Sequence, residues 1–322
     1  MIIITGANGF IGSTLAKALE HDEELVLVDD YHPTINYIDS LDNNHTLIST
    51  SEFYQDIKKF MSECNLVIHL GANSRTDQTD IDECKKKNIY SSQDILEACT
   101  DFDASLIYAS SASTYGDGSL GFSDRMKVDQ LNNLEPMNLY GWSKNYFDMF
   151  CLNQNRKMMP KKWFGLKFFN VYGINEYHKG TQESVLHSFI KQHLLSDKVK
   201  LFKSHKSGIE DGMQKRDFVS VNYCIEFIKR IILLSEKIES GIYNVGTGKA
   251  KTFLTFTRDI FESLGIEPKI EFIDTPKSVR DSYQYFTESE NKKSEVIHEF
   301  DFCYKSDLKE ISNKVLEHYK EN

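Results

Sequence analysis

The sequence predicts an α/β fold: a doubly wound parallel sheet joined to a smaller, interleaved C-terminal α/β lobe. Three observations carry this prediction. A β-branched apolar run opens the chain and passes through spaced glycines into a helical pattern. Strand-like runs and helical patterns then alternate to about residue 170. Beyond that point the alternation gives way to helical stretches set between polar loops. Alternation builds a parallel sheet covered on both faces, and its loss marks a second lobe.

Taken in order, Ile2, Ile3 and Ile4 read as a buried strand. Gly6, Gly9 and Gly12 follow at the spacing G-x-x-G-x-x-G, and helical periodicity begins at Ile11, Leu15, Ala18 and Leu19. Strand-like runs recur at 25–29, 66–70, 105–110 and 163–169, with helical patterns at 92–99 and 140–151 between them. Later helical stretches are predicted at 185–195, 221–234, 253–264 and 308–319. No repeat or low-complexity tract interrupts the chain, and its five prolines argue against a flexible tether between lobes.

The glycine segment has a chemical meaning. Glycine lets the backbone turn sharply and approach a pyrophosphate, while the following helix offers free N–H groups to that anion. Strand, glycine turn and helix in that order predict a dinucleotide site built from Gly6, Gly9, Phe10, Ile11 and Gly12. The second strand ends at Asp29-Asp30, 17 residues beyond Gly12, where a carboxylate can accept hydrogen bonds from a ribose. No Lys or Arg occurs between Lys17 and Lys58 to answer a 2′-phosphate, which favours NAD over NADP. Leu70, Gly71 and Ala72 form another small-residue strand end suited to lie against the cofactor. The predicted dinucleotide-binding domain spans 1–170 plus about 218–246, and the substrate-binding domain about 171–217 plus 247–322.

Composition narrows the class. The 322 residues, 40% hydrophobic, suffice for a large core and two lobes. A net charge of −10 argues against a nucleic-acid partner. No run approaches the ~18 apolar residues of a membrane span, and no basic segment resembling a secretion signal precedes the first strand. The six scattered cysteines form no C-x-x-C pair, so neither a metal site nor a disulfide framework is predicted, and a reduced, cytoplasmic protein is expected.

Tyr140 and Lys144 are four residues apart and share a helix face. An alcohol that loses a hydride must also lose a proton. Free tyrosine, with a pKa of about 10, needs a neighbouring cation to serve as the base. Tyr54 and Lys58 repeat the spacing, but only Tyr140 follows a strand ending in Ala109-Ser110-Ser111-Ala112-Ser113-Thr114-Tyr115-Gly116. Ser111 is the candidate hydrogen-bond partner of the reacting oxygen, at the sheet end where ligands bind in such folds.

These segments resemble the extended short-chain dehydrogenase/reductase superfamily of nucleotide-sugar enzymes, with a Rossmann domain, over nearly the whole chain. Phe169–Gly173 followed by Asn175-Glu176-Tyr177-His178-Lys179-Gly180 is similar to one branch, the ADP-L-glycero-D-manno-heptose 6-epimerases. Further matches are Lys215–Val219, Gly241–Gly248 and Tyr283-Gln284-Tyr285-Phe286-Thr287. The resemblance implies an isomerase that inverts C6″ of an ADP-activated heptose, for lipopolysaccharide or other surface-polysaccharide precursors. It does so by oxidation to a ketone and re-reduction on the other face with tightly bound NADP or NAD. Tyr140 and Lys179 would be the two acid/base groups, with Lys144 and Ser111 beside Tyr140. The resemblance adds Ser74, Asn88, Val171 and Lys179 to the cofactor contacts. It places Ser111, Asn170, Thr181, Ser188, Phe202, Lys203, Ser204, His205, Arg216 and Tyr283 on the substrate, and it implies a homo-oligomer.

The chain departs from the branch in three ways. It lacks the lysine after the second strand that accompanies NADP, so the cofactor stays open between NAD and NADP. The stretch from Lys203 to Arg216 is long, and 74–88 diverges. Ala112-Ser113 cannot supply the acid/base pair of a 4,6-dehydratase, and His178-Lys179-Gly180 speaks against a UDP-hexose 4-epimerase. Another sugar-nucleotide epimerase remains the alternative. A non-catalytic nucleotide sensor fits less well, since such proteins typically lack the Tyr/Lys pair.

Overall fold

The computed structural model describes residues 1–30, 36–42, 45–280 and 283–321. In chain order its strands are β1 (Ile2–Thr5), β2 (Leu25–Val28), β3 (His45–Ile48), β4 (Leu66–His69), β5 (Ser105–Ser111), β6 (Trp163–Phe168), β7 (Asn170–Tyr172), β8 (Val199–Phe202), β9 (Lys215–Arg216), β10 (Phe218–Ser220), β11 (Gly241–Val245), β12 (Lys251–Thr252) and β13 (Ile270–Ile273). Seven of them form one parallel sheet in the order β11-β6-β5-β4-β1-β2-β3. The strand order reverses between β1 and β4, which opens a crevice at their carboxyl ends.

β1, β2, β4, β6 and β11 are buried along their whole length. Helices cover both sheet faces, so these strands read as continuous apolar runs rather than alternating ones. The strand period of two still sorts their side chains. Ile2 and Ile4 join Leu27, Ile68 and Ile107 in a core under the helices Phe10–Leu19 and Val221–Leu234. Ile3 joins Val26, Val67 and Leu106 on the other face, under Ser91–Asp101 and Leu139–Asn153.

Two sheet strands lie outside the strand-like runs of the sequence, for different reasons. β3 is an edge strand whose Thr46 and Leu47 are exposed, so no apolar run marks it. β11 carries the buried Asn244, which accepts from the Tyr115 hydroxyl at 2.7 Å and donates to the Phe122 carbonyl at 2.7 Å. A polar residue satisfied by distant partners is invisible to periodicity.

The rest of the chain builds a third core from Leu186, Phe189, Ile190, Phe256, Ile260, Ile311 and Val315. β7 pairs with β10 and β8 with β13, both in parallel. The Phe218 and Phe256 rings stack at 4.0 Å. Val219, Cys224, Ile228 and Val245 pack in the first core, as does Ile297. Among the described residues no helix is long and apolar enough to cross a membrane.

The helix Leu139–Asn153 is capped by Asn138, whose Oδ1 accepts the Gly141 N–H at 2.8 Å. Tyr140, Lys144 and Asp148 share its inward face. Asp148 meets Lys167 Nζ of β6 at 2.7 Å with both side chains fully buried. It also accepts from Tyr108 Oη at 3.0 Å and Ser110 Oγ at 2.7 Å. Removing one partner of a buried pair strands the other charge. Asp148→Ala is expected to destabilise the protein by about 3–5 kcal/mol, read as a shift in the urea midpoint at constant slope. A change within about 0.5 kcal/mol, the range of an ordinary surface substitution, would show that the pair does not hold the helix.

Candidate active site

Backbone contact shapes the crevice first. Gly6 has φ +69°, and a Cβ there would lie 2.6 Å from the Gly71 nitrogen. A Cβ on Gly12 would lie 2.0 Å from the Gly6 carbonyl oxygen. Gly9 caps the helix Phe10–Leu19 without a side-chain hydrogen bond, and no acidic residue occupies its first turn. The orphan N–H groups of that turn therefore remain available to an anion.

A cavity of about 570 Å³ lies over this turn. Gly6, Gly9, Phe10, Ile11, Gly12, Asp29, Leu70, Gly71, Ala72, Ser74, Val171 and Lys179 line it, together with Ser111, Tyr140, Lys144 and Asn170. Two predicted cofactor residues lie outside its walls. Asp30 accepts the Thr50 N–H at 3.1 Å and is exposed. Asp29 faces the cavity, each of its oxygens accepting one backbone N–H at 2.8 Å, from Asn8 and Asp30. Asn88 is buried, and its amide clamps the Asn73 backbone (N–H to Oδ1 at 2.8 Å, Nδ2 to carbonyl at 3.0 Å) and donates to Ser143 Oγ at 3.0 Å. It shapes the loop after β4 instead of forming the cavity surface. Asn88 sits in a π-helical turn, Lys85–Tyr90, a distortion frequent near functional sites.

A directed chain of hydrogen bonds supports the same loop. The Ser92 hydroxyl donates to the Asn88 carbonyl at 2.8 Å, so it accepts from His69 Nε2 at 3.0 Å. His69 Nδ1 then accepts from Thr5 Oγ1 at 2.7 Å, and Thr5 Oγ1 accepts the Gly71 N–H at 3.3 Å. Burial pushes the His69 imidazole down to about 3, which keeps it neutral.

At the reacting centre, burial pushes the Tyr140 phenol up, while a hydrogen bond with Ser111 draws it back. Ser111 Oγ also accepts the Ser113 N–H at 3.1 Å and lies 2.9 Å from Ser113 Oγ. Lys144 Nζ lies 6.0 Å from the Tyr140 ring centroid. Burial pushes its pKa down to about 8, opposed by the charge of Asp148. Among the described residues its ammonium has no hydrogen-bond or ion-pair partner, although Lys144 is buried. The Tyr54/Lys58 pair is different: the two sit on separate helices, Thr50–Gln55 and Ile57–Met61, and Lys58 pairs with Asp101 at 3.2 Å on the surface.

A second cavity, of about 500 Å³, shares Ser111, Tyr140, Phe168, Phe169 and Asn170 with the first. Its far wall holds Arg216, Tyr283, Gln284 and Thr287. The buried Arg216 guanidinium lies 5.4 Å from the Tyr283 ring centroid and donates to the Lys215 carbonyl at 2.9 Å. The remaining predicted substrate residues are not in either wall. Phe202 packs edge-on against Tyr283 at 6.3 Å. Lys203 pairs with Asp274 at 3.2 Å. The Ser204 N–H is held by Asp211, and the His205 N–H by the Tyr285 hydroxyl, each at 2.8 Å. Thr181 is exposed, and Ser188 Oγ accepts from Gln192 at 3.0 Å. Lys179 lines only the first cavity, with Nζ 3.5 Å from Glu176 and 4.1 Å from the Phe10 ring centroid.

Sequence reasoning missed Glu176, His69 and Thr287 as site groups. Glu176 and Thr287 fall inside recognisable segments, but nothing in their spacing marks them. His69 ends an apolar run and carries no signal of its own.

The family profile described as the NAD dependent epimerase/dehydratase family matches residues 2–246. The chain is 36% identical over 316 residues to the ADP-L-glycero-D-manno-heptose-6-epimerase of Fusobacterium nucleatum, covering 92% of each. It is 37% identical over 294 residues to the protein of that name from Nitratidesulfovibrio vulgaris, covering 90% of this chain and 89% of the relative. The crystal structure of the Helicobacter pylori ADP-L-glycero-D-manno-heptose-6-epimerase superposes with a TM-score of 0.78 at 25% identity, over 99% of this chain and 96% of that one.

In protein stripped of dinucleotide, Lys144 is expected to lose its proton near pH 8, against about 10.4 for an ordinary lysine. Competitive acetylation across pH, read for each lysine by mass spectrometry, measures this midpoint. A value equal to that of exposed lysines would refute the burial of the ammonium.

Proposed function

We propose that this chain, which belongs to the NAD dependent epimerase/dehydratase family, inverts C6″ of an ADP-activated glycero-manno-heptose. It is a nucleotide-sugar epimerase, an isomerase that works with a nicotinamide cofactor. One observation supports the reading most: two cavities meet at Ser111, Tyr140 and Asn170, one walled by the glycine turn and the other by Arg216 and Tyr283. Residues 1–170 with 218–246 serve the cofactor, and 171–217 with 247–322 the substrate.

The residues fit a dinucleotide. Gly6 and Gly12 leave a cradle that any Cβ would fill, and the uncapped helix turn suits a pyrophosphate. Lys144 is a buried cation whose natural counterpart is a ribose hydroxyl pair. When bound, the cofactor supplies reversible hydride transfer at the sugar carbon.

This chain's own groups manage the proton. The Tyr140 hydroxyl, hydrogen-bonded to Ser111, takes and returns the proton of the sugar hydroxyl on one face. The Lys144 ammonium favours the phenolate that this requires. Lys179 is the only one of the two proposed acid/base groups that comes from the second lobe, and it serves the other face. Arg216 offers a forked donor set to the diphosphate, and Tyr283 and Thr287 border the same cavity. This substrate set is narrower than the resemblance implies, because Phe202, Lys203, Ser204, His205 and Ser188 are engaged outside the cavity walls and Thr181 is exposed outside them.

The cofactor is assigned as NAD. The Asp29 carboxylate lines the first cavity, where it suits ribose hydroxyls and repels a 2′-phosphate. Mass spectrometry of the dinucleotide that co-purifies is expected to show NAD, and stoichiometric NADP would overturn this assignment. Purified protein is expected to equilibrate the two C6″ epimers of the ADP-heptose without added cofactor, followed by NMR. Lys179→Met should slow epimerisation by about 100-fold or more while leaving bound dinucleotide unchanged. Consumption of neither epimer by loaded wild-type protein would sink the substrate, and full activity of K179M would remove Lys179 from the mechanism.

A further inference from the structure

We propose that Glu176 is the positioning residue for Lys179: its carboxylate ties the two ends of the 173–184 turn together and holds the Lys179 ammonium at the wall of the first cavity. This rests on the acid/base role proposed above for Lys179. Glu176 is completely buried. One oxygen accepts the Gly173 N–H at 3.0 Å, and the other accepts the Ser184 N–H at 2.8 Å and faces Lys179 Nζ at 3.5 Å. Two backbone donors on two oxygens suit the anion alone, since an amide or a neutral acid would turn a donor toward one of them.

Among the described residues, the elements packed around Lys179 bring no competing anion into contact with its ammonium. From the helix Phe10–Leu19 comes only the Phe10 ring, 4.1 Å from Nζ. From the helix Val185–Ser196 comes His187, whose Nε2 donates to the Gly173 carbonyl at 2.6 Å. Burial pushes that imidazole down to about 4, so it is neutral at physiological pH. Glu183 and Lys191 neutralise each other at 2.6 Å. The C-terminal helix contributes the Tyr319 hydroxyl, spent on His187 at 2.9 Å, and His318, stacked on Tyr177 at 3.5 Å. Tyr37 reaches His178 at 3.3 Å. Among the described residues Glu176 is thus the anion in contact with Lys179. Burial draws the lysine toward its neutral form, and Glu176 opposes that. An aromatic face on one side and a fixed carboxylate on the other hold the side-chain nitrogen in place and favour its charged form.

The test titrates Lys179 directly, by competitive acetylation across pH in the dinucleotide-loaded protein. An opposite charge at this range moves a pKa by one unit or more. Glu176→Gln should therefore lower the Lys179 midpoint by about one pH unit, a tenfold change in proton concentration. The alkaline limb of epimerisation should move the same way, with bound dinucleotide and the Lys144 midpoint unchanged. An unchanged Lys179 midpoint in E176Q overturns the proposal. Should E176Q fail to fold, Glu176→Asp carries the test. Its shorter carboxylate draws away from Nζ, so the midpoint still falls, and an unchanged value there also overturns the proposal. Wild-type protein unable to epimerise the ADP-heptose would defeat the substrate reading and leave the titration result standing.

Discussion

One buried ion pair fixes the geometry on which the site depends. Lys167 and Asp148 meet with no exposure to water. Withdrawing each charge costs several kcal/mol, which only full hydrogen bonding offsets. Asp148 has it from the Tyr108 and Ser110 hydroxyls, and Lys167 reaches Thr114 Oγ1 as well. These partners come from β5, from the turn after it and from β6. Few rotations and heights of the helix Leu139–Asn153 satisfy all of them at once. Tyr140 and Lys144 sit about two turns and one turn before Asp148 on that face, so the ion pair sets where phenol and ammonium enter the crevice.

The two lysines of the first cavity differ in how their charge is answered. The counter-charge of Lys144 is distant, because Asp148 is already committed to Lys167. Burial accordingly wins, and the lysine is poised near neutrality. Lys179 has a carboxylate in contact and a partly exposed side chain. Burial lowers its proton affinity too, but against a direct opponent. Among the described residues, one cavity thus holds a lysine with no carboxylate in contact and a lysine with one. That difference suits a group that tunes a neighbouring phenol and a group that carries a proton itself.

Around these charges the scaffold is neutral and directional. The chain from Gly71 through Thr5, His69 and Ser92 to the Asn88 carbonyl has a single consistent donor order, and the Thr5, His69 and Ser92 side chains spend their polar atoms inside it. It joins the glycine turn to the loop after β4 without placing a second charge near Lys144. A protonated His69 would add one, and burial prevents that. Networks of this kind rigidify a site when all members are satisfied.

Much of this was legible in the residues alone. Ile2–Ile4, the spaced glycines and the helical repeat after them specify a strand, a close backbone approach and a helix start, because each depends on local sterics and burial. Tyr140 and Lys144 were legible because a helix converts a spacing of four into a shared face. β3 and β11 were not, since an exposed edge and a buried asparagine with remote partners erase the apolar signal. The positions of Asn88, Asp30 and the segment 202–205 beside the cavity walls, and not in them, were also hidden. The sequence by itself determined which chemistry is present: a dinucleotide turn, a phenol, several amines and a guanidinium. Only the tertiary structure decided which of these groups face one another and what proton affinity each has. Those properties arise from contacts between residues far apart in the chain and from the water those contacts exclude.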